Sequence, residues 1–124
     1  MEDIATRHDI DLIMSEFYRK LLADPSISYI FTDVAKIDLD EHLPKIADFW
    51  EQNVLQAGKY KNNVLKVHLD LNALTPLTNE HFQTWLSHLE RTINSNFSGQ
   101  NAERMKTNAV SIATVMKMKM RNRH

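Results

Sequence analysis

Apolar residues recur at steps of three or four along most of the chain, which is the spacing of amphipathic helices. The first such helix is predicted over residues 7–23, where Thr6 and Asp9 fit a capping box, each satisfying one amide that the first turn leaves without a helical partner. Asp24 and Pro25 end this helix, and Pro25 suits the first position of a short second one. The predicted inward-facing residues of the two helices are Ile10, Ile13, Phe17, Leu21, Ile27, Ile30 and Phe31.

Three longer helices are predicted after this pair. The third helix is predicted over the stretch DLDEHLPKIADFWEQNVLQAG, with Gly58 as C-cap. Its regular part begins close to Glu41, because Pro44 is tolerated only near a helix start. Thr78 caps a fourth that ends near Gly99, and the last covers about residues 101–119. Their predicted inward faces are Leu39, Leu43, Ile46, Trp50, Val54 and Ala57; then Phe82, Trp85, Leu86, Leu89 and Ile93; then Ala102, Met105, Ala109, Ile112, Ala113 and Met116.

Residues 58–77 break the pattern, since they are poorly periodic and contain only a short apolar piece from Val64 to Leu69. A long irregular segment is uncommon inside a compact domain and is often functional. With two glycines and three prolines, the chain lacks the turn residues of a β-sandwich. We therefore predict one all-α domain over residues 1–124, with about five helices and an irregular segment between the third and the fourth.

Composition narrows the classes of function. The 43% hydrophobic and 25% charged residues are typical of a folded soluble domain. The net charge of −1 gives no broad footprint for nucleic acid, and the basic end, KMKMRNRH, is interpreted as a solvated helix end. No cysteine is present, which excludes disulfides and thiolate chemistry. The polar start is no signal peptide and no apolar run is long enough for a membrane span, so we expect a cytoplasmic protein.

Among the six histidines, His68 has the most unusual setting. It lies between Val67 and Leu69 in the irregular segment, where free backbone carbonyls can orient an imidazole. One interpretation is a core histidine bonded to the backbone, and the other is a cofactor ligand of the kind that haem iron takes. His81 and His88 are ~10 Å apart along one helix, too far for one zinc ion. The chain also lacks a P-loop, a nucleophile elbow and a dinucleotide fingerprint.

Three further side chains are polar candidates on predicted apolar faces. Tyr18 and Trp85 must each bury a ring and still find a partner for a hydroxyl or an indole N–H. One interpretation is that both are core aromatic residues whose hydroxyl or N–H group is hydrogen-bonded within the protein. The other is that both donate to a partly negative ligand such as bound oxygen. His42 is either a half-exposed histidine of a first turn or a third polar group on the same side as Ile46 and Phe49.

The stretches EFYRKLLADPSISYIF, HLPKIADFWE and HLDL…PLTNEHFQTWLSHL, followed by an amphipathic helix, resemble a truncated haemoglobin of the third group. The resemblance covers about residues 8–118, and the segment after His68 is longer than is usual in the family, with LDLNALT before PLT. The implied fold is a two-over-two helical sandwich around a haem, a trimmed globin with a short proximal helix.

The resemblance also implies roles for individual residues. His68 would be the proximal ligand of the iron of haem b, and Tyr18 would be the main donor on the distal side. Trp85 would be a second donor, and His42 a gate or weaker contact. The apolar walls of the haem pocket would be Phe31, Phe49, Trp50 and Phe82.

Three functions remain open from the sequence. The first is a haem protein that binds O2, CO, NO or similar diatomic ligands. The second is an enzyme that uses the same haem for nitric oxide dioxygenation or peroxide chemistry, with electrons from a separate reductase because the chain has no flavin fingerprint. The third is a cofactor-free helical interaction module in which His68 is merely packed.

Overall fold

The computed structural model describes residues 1–30, 39–55 and 78–122 of the chain. These ranges contain four helices, α1 (Arg7–Ala23), α2 (Leu39–Leu55), α3 (Asn79–Asn96) and α4 (Gln100–Asn122), and no strand. Helix α1 packs against α2 and α3, and α4 packs against the same two helices. The α1–α2 pair therefore lies on the α3–α4 pair, which confirms the predicted two-over-two sandwich. In the part of the chain described, no helix combines the length and the hydrophobicity that crossing a membrane requires.

The start of α1 is as predicted. The Thr6 hydroxyl accepts from the backbone N–H of Asp9, and the Asp9 carboxylate accepts from the backbone N–H of Thr6, so the capping box is formed. Helix α2 begins at Leu39, within the predicted stretch and two residues before the expected start of its regular part at Glu41. Pro44 consequently lies inside α2, where its ring removes one helical hydrogen bond.

Helices α3 and α4 follow the sequence prediction with small shifts at their ends. Thr78 is the N-cap of α3, as expected, but α3 ends at Asn96 with Phe97 as C-cap, before the predicted Gly99. Between α1 and residue 30, the Ser28 N–H donates to the Asp24 carbonyl at 2.8 Å, in keeping with a helical turn after Pro25. Three sequence predictions lie outside the described residues: the rest of the short second helix, the Gly58 cap and the irregular segment 58–77.

The core is built from the apolar stripes that define the helices. Most stripe residues in the described ranges are buried, while Leu43, Trp85, Leu86 and Ile112 are only partly covered. A smaller cluster joins α3 to α4. The largest fully buried side chains are Phe17, Ile4, Ile10, Ile13, Met14, Leu21, Ile30, Leu89, Ile93, Met105, Met116 and Val54.

The residues before α1 form a cap for α4 that the sequence did not reveal. The Asp3 carboxylate accepts from the backbone N–H groups of Asn101 and Ala102, each at 2.9 Å. Burial acts to raise the pKa of Asp3, but these amide hydrogen bonds outweigh it and lower the pKa. Gly99 has a φ of +139°, and a Cβ added there would come within 2.5 Å of the Asp3 Cγ. Only glycine therefore fits this junction.

Asp24, the C-cap of α1, is tied to α3 by His88, whose Nε2 lies 2.8 Å from an Asp24 carboxylate oxygen. The hydrogen bond from His88, followed by those from the Ser26 side chain and backbone, lowers the pKa of Asp24 to about 2. The ionised carboxylate is therefore favoured in the folded state. This contribution to stability is complete above the ordinary aspartate pKa of about 3.9 and is lost as the pH falls towards about 2.

We expect Asp24→Asn to lower the free energy of unfolding at neutral pH by about 1 kcal/mol, a modest value because the pair is partly exposed. As the pH falls from about 4 the difference from the wild type should shrink progressively, and it should be smallest below about pH 2, where both chains carry a neutral group at this position. Urea unfolding at a series of pH values measures it. Glu90→Gln, at an exposed position of α3, is the control. A difference that stayed constant down to about pH 2 would contradict the assignment.

Candidate functional site

A buried tyrosine on α1 meets a histidine on α2. The Tyr18 side chain is only 4% exposed, and its hydroxyl oxygen lies 2.8 Å from Nε2 of His42. The two rings stand nearly perpendicular, with centroids 5.2 Å apart. The sequence placed both residues on one side of a pocket by resemblance. Their direct hydrogen bond emerges only when α1 and α2 are packed together.

The Tyr18 hydroxyl is protonated at neutral pH, because burial raises the pKa of this group well above its ordinary value. It therefore carries one proton and can both donate and accept a hydrogen bond. If Nε2 of His42 is unprotonated, Tyr18 donates to it. If the imidazole carries its proton on Nε2, His42 donates and Tyr18 keeps its own proton for another acceptor.

Phe17 connects this pair to Trp85 on α3. The Phe17 ring is 1% exposed and packs edge-on against Tyr18, with centroids 5.2 Å apart, and against Trp85 at 5.8 Å. Such edge-to-face contacts favour one mutual orientation of the rings. Tyr18 and Trp85 are thus held by a shared neighbour, Phe17, which also lies on the predicted apolar stripe of α1.

Trp85 is the second candidate donor, and it is partly buried in the described structure. It packs against both the main core and the smaller cluster around Phe82. Within residues 1–30, 39–55 and 78–122, its indole N–H makes no hydrogen bond. An indole N–H can donate a hydrogen bond but cannot accept one, so Trp85 is a candidate donor only.

The expected apolar walls occupy three different settings. Phe49 is partly buried and packs edge-on against Trp50, with centroids 5.1 Å apart, whereas Trp50 is buried in the main core. Phe82 is 5% exposed and belongs to the smaller cluster, with Ala113 and Met116. Phe31 and His68, the remaining site residues expected from the sequence, lie outside the described residues.

Arg7, the first residue of α1, holds α1 and α2 together about three helical turns before Tyr18. Its guanidinium donates to Asp48 at 2.6 Å, to Glu51 at 3.1 Å and to the carbonyl oxygen of Pro44 at 3.3 Å, all on α2. Several donors on one rigid fork fix an orientation better than a single ion pair does. These contacts support the register that places His42 opposite Tyr18. No local signal in the sequence points to them, because the partners are more than 35 residues away from Arg7.

The chemistry of these side chains is that of neutral hydrogen-bond donors in apolar surroundings. A phenol, an imidazole and an indole are supported by aromatic and aliphatic neighbours. In the three described ranges, no group of three or more His, Asp or Glu side chains is arranged to hold a metal ion. A cleft of about 460 Å³ between α1 and α2 reaches the Tyr18 ring, with Ser15, Arg19, Leu22, Ala23 and Leu43 as its other lining residues.

Comparison with known proteins identifies relatives of the chain. A curated protein, the group 3 truncated hemoglobin ctb of Campylobacter jejuni, is 33% identical over 91 residues, covering 71% of this chain and 69% of that protein. The crystal structure of the group III truncated hemoglobin from Campylobacter jejuni superposes with a TM-score of 0.84 at 27% identity, covering 97% of this chain and 95% of that one. No protein-family profile matches the chain.

Proposed function

Because the chain belongs to the group 3 truncated haemoglobins, we propose that it binds haem b and, at the haem iron, O2 or a related diatomic gas such as CO or NO. When bound, haem supplies an iron atom with one position open to a small ligand. His68 is assigned as its proximal ligand. Tyr18, His42 and Trp85 would face the bound gas, and Phe31, Phe49, Trp50 and Phe82 would make apolar contacts with the haem.

The observation that carries this proposal is the buried Tyr18 hydroxyl held by His42. A donor that is already oriented in a site shielded from water stabilises developing negative charge more effectively than water does. Bound O2 is partly negative, whereas the free gas is neutral. A fixed, uncharged donor such as Tyr18 therefore favours the bound state of O2 over its release.

The number of protons that Tyr18 and His42 carry limits which of them can donate a hydrogen bond to the ligand. Tyr18 has one proton, so it cannot donate to His42 and to a ligand at the same time. When His42 donates from Nε2, it occupies a lone pair of the Tyr18 oxygen, and the Tyr18 proton is then not used in this hydrogen bond. In this proposal His42 orients the Tyr18 hydroxyl, and Trp85 offers a second N–H from α3.

An absorption spectrum of the full chain loaded with haem, recorded with and without CO, tests the proposed function. We expect the intense Soret band of a bound ferrous haem and a shift of that band when CO is added. The shift requires an open position on the iron. A preparation that stayed colourless after haem addition would instead support a helical interaction module without a cofactor.

We expect Tyr18→Phe to accelerate O2 dissociation roughly 5- to 150-fold, the equivalent of losing about 1–3 kcal/mol of hydrogen bonding to a charged group. The ring and its packing against Phe17 are kept, so that the loss is confined to the hydroxyl. Stopped-flow displacement of O2 by CO measures the rate.

Ser15→Ala is the matched control for Tyr18→Phe, because it also removes one hydroxyl from α1 but at an exposed position. Its O2 dissociation rate should equal that of the wild type. CO dissociation should respond less than O2 dissociation to Tyr18→Phe, since bound CO is less negative. An unchanged O2 rate in Tyr18→Phe would remove Tyr18 from its assigned role.

A further inference from the structure

The cap of α3 contains a titratable group in an unusual place. In a capping box the third helical residue is normally Glu or Gln, whose side-chain oxygen accepts from the N-cap amide. Here that residue is His81, and its Nδ1 accepts from the backbone N–H of Thr78 at 3.1 Å. The Thr78 hydroxyl in turn accepts from the His81 backbone N–H at 3.1 Å.

These contacts define the form of His81 that the cap requires. Because Nδ1 is an acceptor, it carries no proton, and a neutral imidazole then has its proton on Nε2. Nε2 lies 3.1 Å from the Tyr29 hydroxyl and can donate to it. Both ring nitrogens are therefore used, one in the cap and one in a contact with the segment that follows α1.

We propose that His81 is a pH-responsive positioning residue, which holds the first turn of α3 in place when neutral and releases it when protonated. A proton on Nδ1 turns the acceptor into a donor, so that the Thr78 N–H loses its partner. The same proton places a positive charge at a helix N-terminus, where the helix dipole disfavours it. Falling pH thus weakens the cap for two independent reasons.

The described contacts of the His81 ring supply little to oppose this effect. They are made with the Tyr29 side chain and the Thr78 backbone, neither of which is an acidic group that could pair with a charged imidazole. Glu80 lies in the same first turn and is exposed. Successive residues of a helix do not face one another, so Glu80 is poorly placed to pair with His81.

The position of the cap connects it to the candidate site. Phe82 follows His81 directly, and Trp85 lies one helical turn further along α3. A loosened first turn therefore gives Trp85 a less defined position relative to Phe17. This consequence rests on the proposed function, which assigns Trp85 to a gas-binding pocket. The pH response of the cap itself does not depend on that function.

NMR of the ¹⁵N-labelled full chain tests the cap directly. The sample is the CO complex if the chain binds haem, and the protein as purified if it does not. We expect hydrogen-exchange protection of the Thr78 amide to fall roughly 2- to 30-fold between about pH 7.5 and 5.5, because histidine is the side chain whose charge changes between pH 5 and 8. His81→Gln is the matched variant, because its amide oxygen completes the box and does not titrate. Its protection should be the same at both pH values, while His81→Ala should be unprotected at both.

Constant protection of Thr78 in the wild type, or an equal fall in His81→Gln, would overturn the proposal. The coupling between the α3 cap and gas binding is measured by the ratio of the O2 dissociation rate of the wild type to that of His81→Gln. This ratio should be close to one at about pH 7.5 and rise as the pH falls. A pH-dependent cap without haem binding would refute only the proposed function, and a constant rate ratio with a pH-dependent cap would refute only the coupling.

Discussion

Replacement of His68 with alanine is expected to abolish stable haem binding, with loss of the Soret band and of the CO-dependent shift. Haem iron needs an axial protein ligand, and a neutral imidazole is the usual one. Within the described residues, His42, His81 and His88 each have a ring nitrogen engaged by another side chain. The resemblance to the third-group truncated haemoglobins assigns ligation to His68, and its apolar neighbours in the sequence are compatible with that role.

Two further variants separate ligation by His68 from an effect on folding. His68→Gly with added imidazole should recover the Soret band, because the free imidazole can take the place of the missing ring. His8→Ala, which removes an exposed histidine of α1, should bind haem like the wild type. Circular dichroism checks that all variants keep their helix content. Retention of normal haem and CO spectra by His68→Ala would mean that a different residue holds the iron.

The helical framework is largely predictable from sequence because helix-forming signals are local. Thr6 and Thr78 were both predicted as N-caps, and the predicted capping box of Thr6 with Asp9 is present. The box that Thr78 forms with His81 was not predicted, because histidine is not a usual residue at the third helical position. The buried stripe of α1 follows directly from its spacing. The predicted stretch for α2 includes its start at Leu39, although the helix is regular two residues before the expected Glu41. The Pro44 inside it accepts a hydrogen bond from Arg7 through its carbonyl oxygen, a contact that no local signal predicts.

The site is less predictable because it depends on contacts between distant parts of the chain. The sequence suggested that Tyr18 needs a partner for its hydroxyl, and that prediction is confirmed, but the partner, His42, is brought up by another helix. The Asp3 cap of α4 bridges the two ends of the chain in the same way. The assigned roles of His68 and Phe31 stay predictions, since both residues lie outside the described ranges.

Phe17 shows how closely stability and function are coupled in a domain of this size. It is among the most buried side chains and also contacts both candidate donors, Tyr18 and Trp85. A small helical sandwich has one main core, so the rings that fill it also form the floor of any pocket built on it. A substitution here should therefore change both the free energy of unfolding and the geometry of the site.

Phe17→Ala is accordingly expected to lower the free energy of unfolding by about 3–5 kcal/mol, through lost burial and the cavity left behind. This is a large part of the roughly 5–15 kcal/mol that stabilises a typical domain. Urea denaturation measures it, at equal haem occupancy, because a bound ligand adds its own stabilisation. Phe17→Leu leaves a smaller cavity and should cost less, although it still loses the edge-on contacts that orient Tyr18 and Trp85.

The exposed Val110 of α4 provides the matched control, since Val110→Ala removes apolar atoms that are 52% exposed and should change stability by no more than about 0.5 kcal/mol. Comparing the two Phe17 variants separates packing from orientation. If Phe17→Leu folds stably yet releases O2 faster than the wild type, the aromatic edge is needed to aim the donors, beyond filling space. A cost below about 1 kcal/mol for Phe17→Ala would instead show that the core can close around the missing ring. The arrangement of Tyr18 and Trp85 would then have to be maintained by contacts other than Phe17.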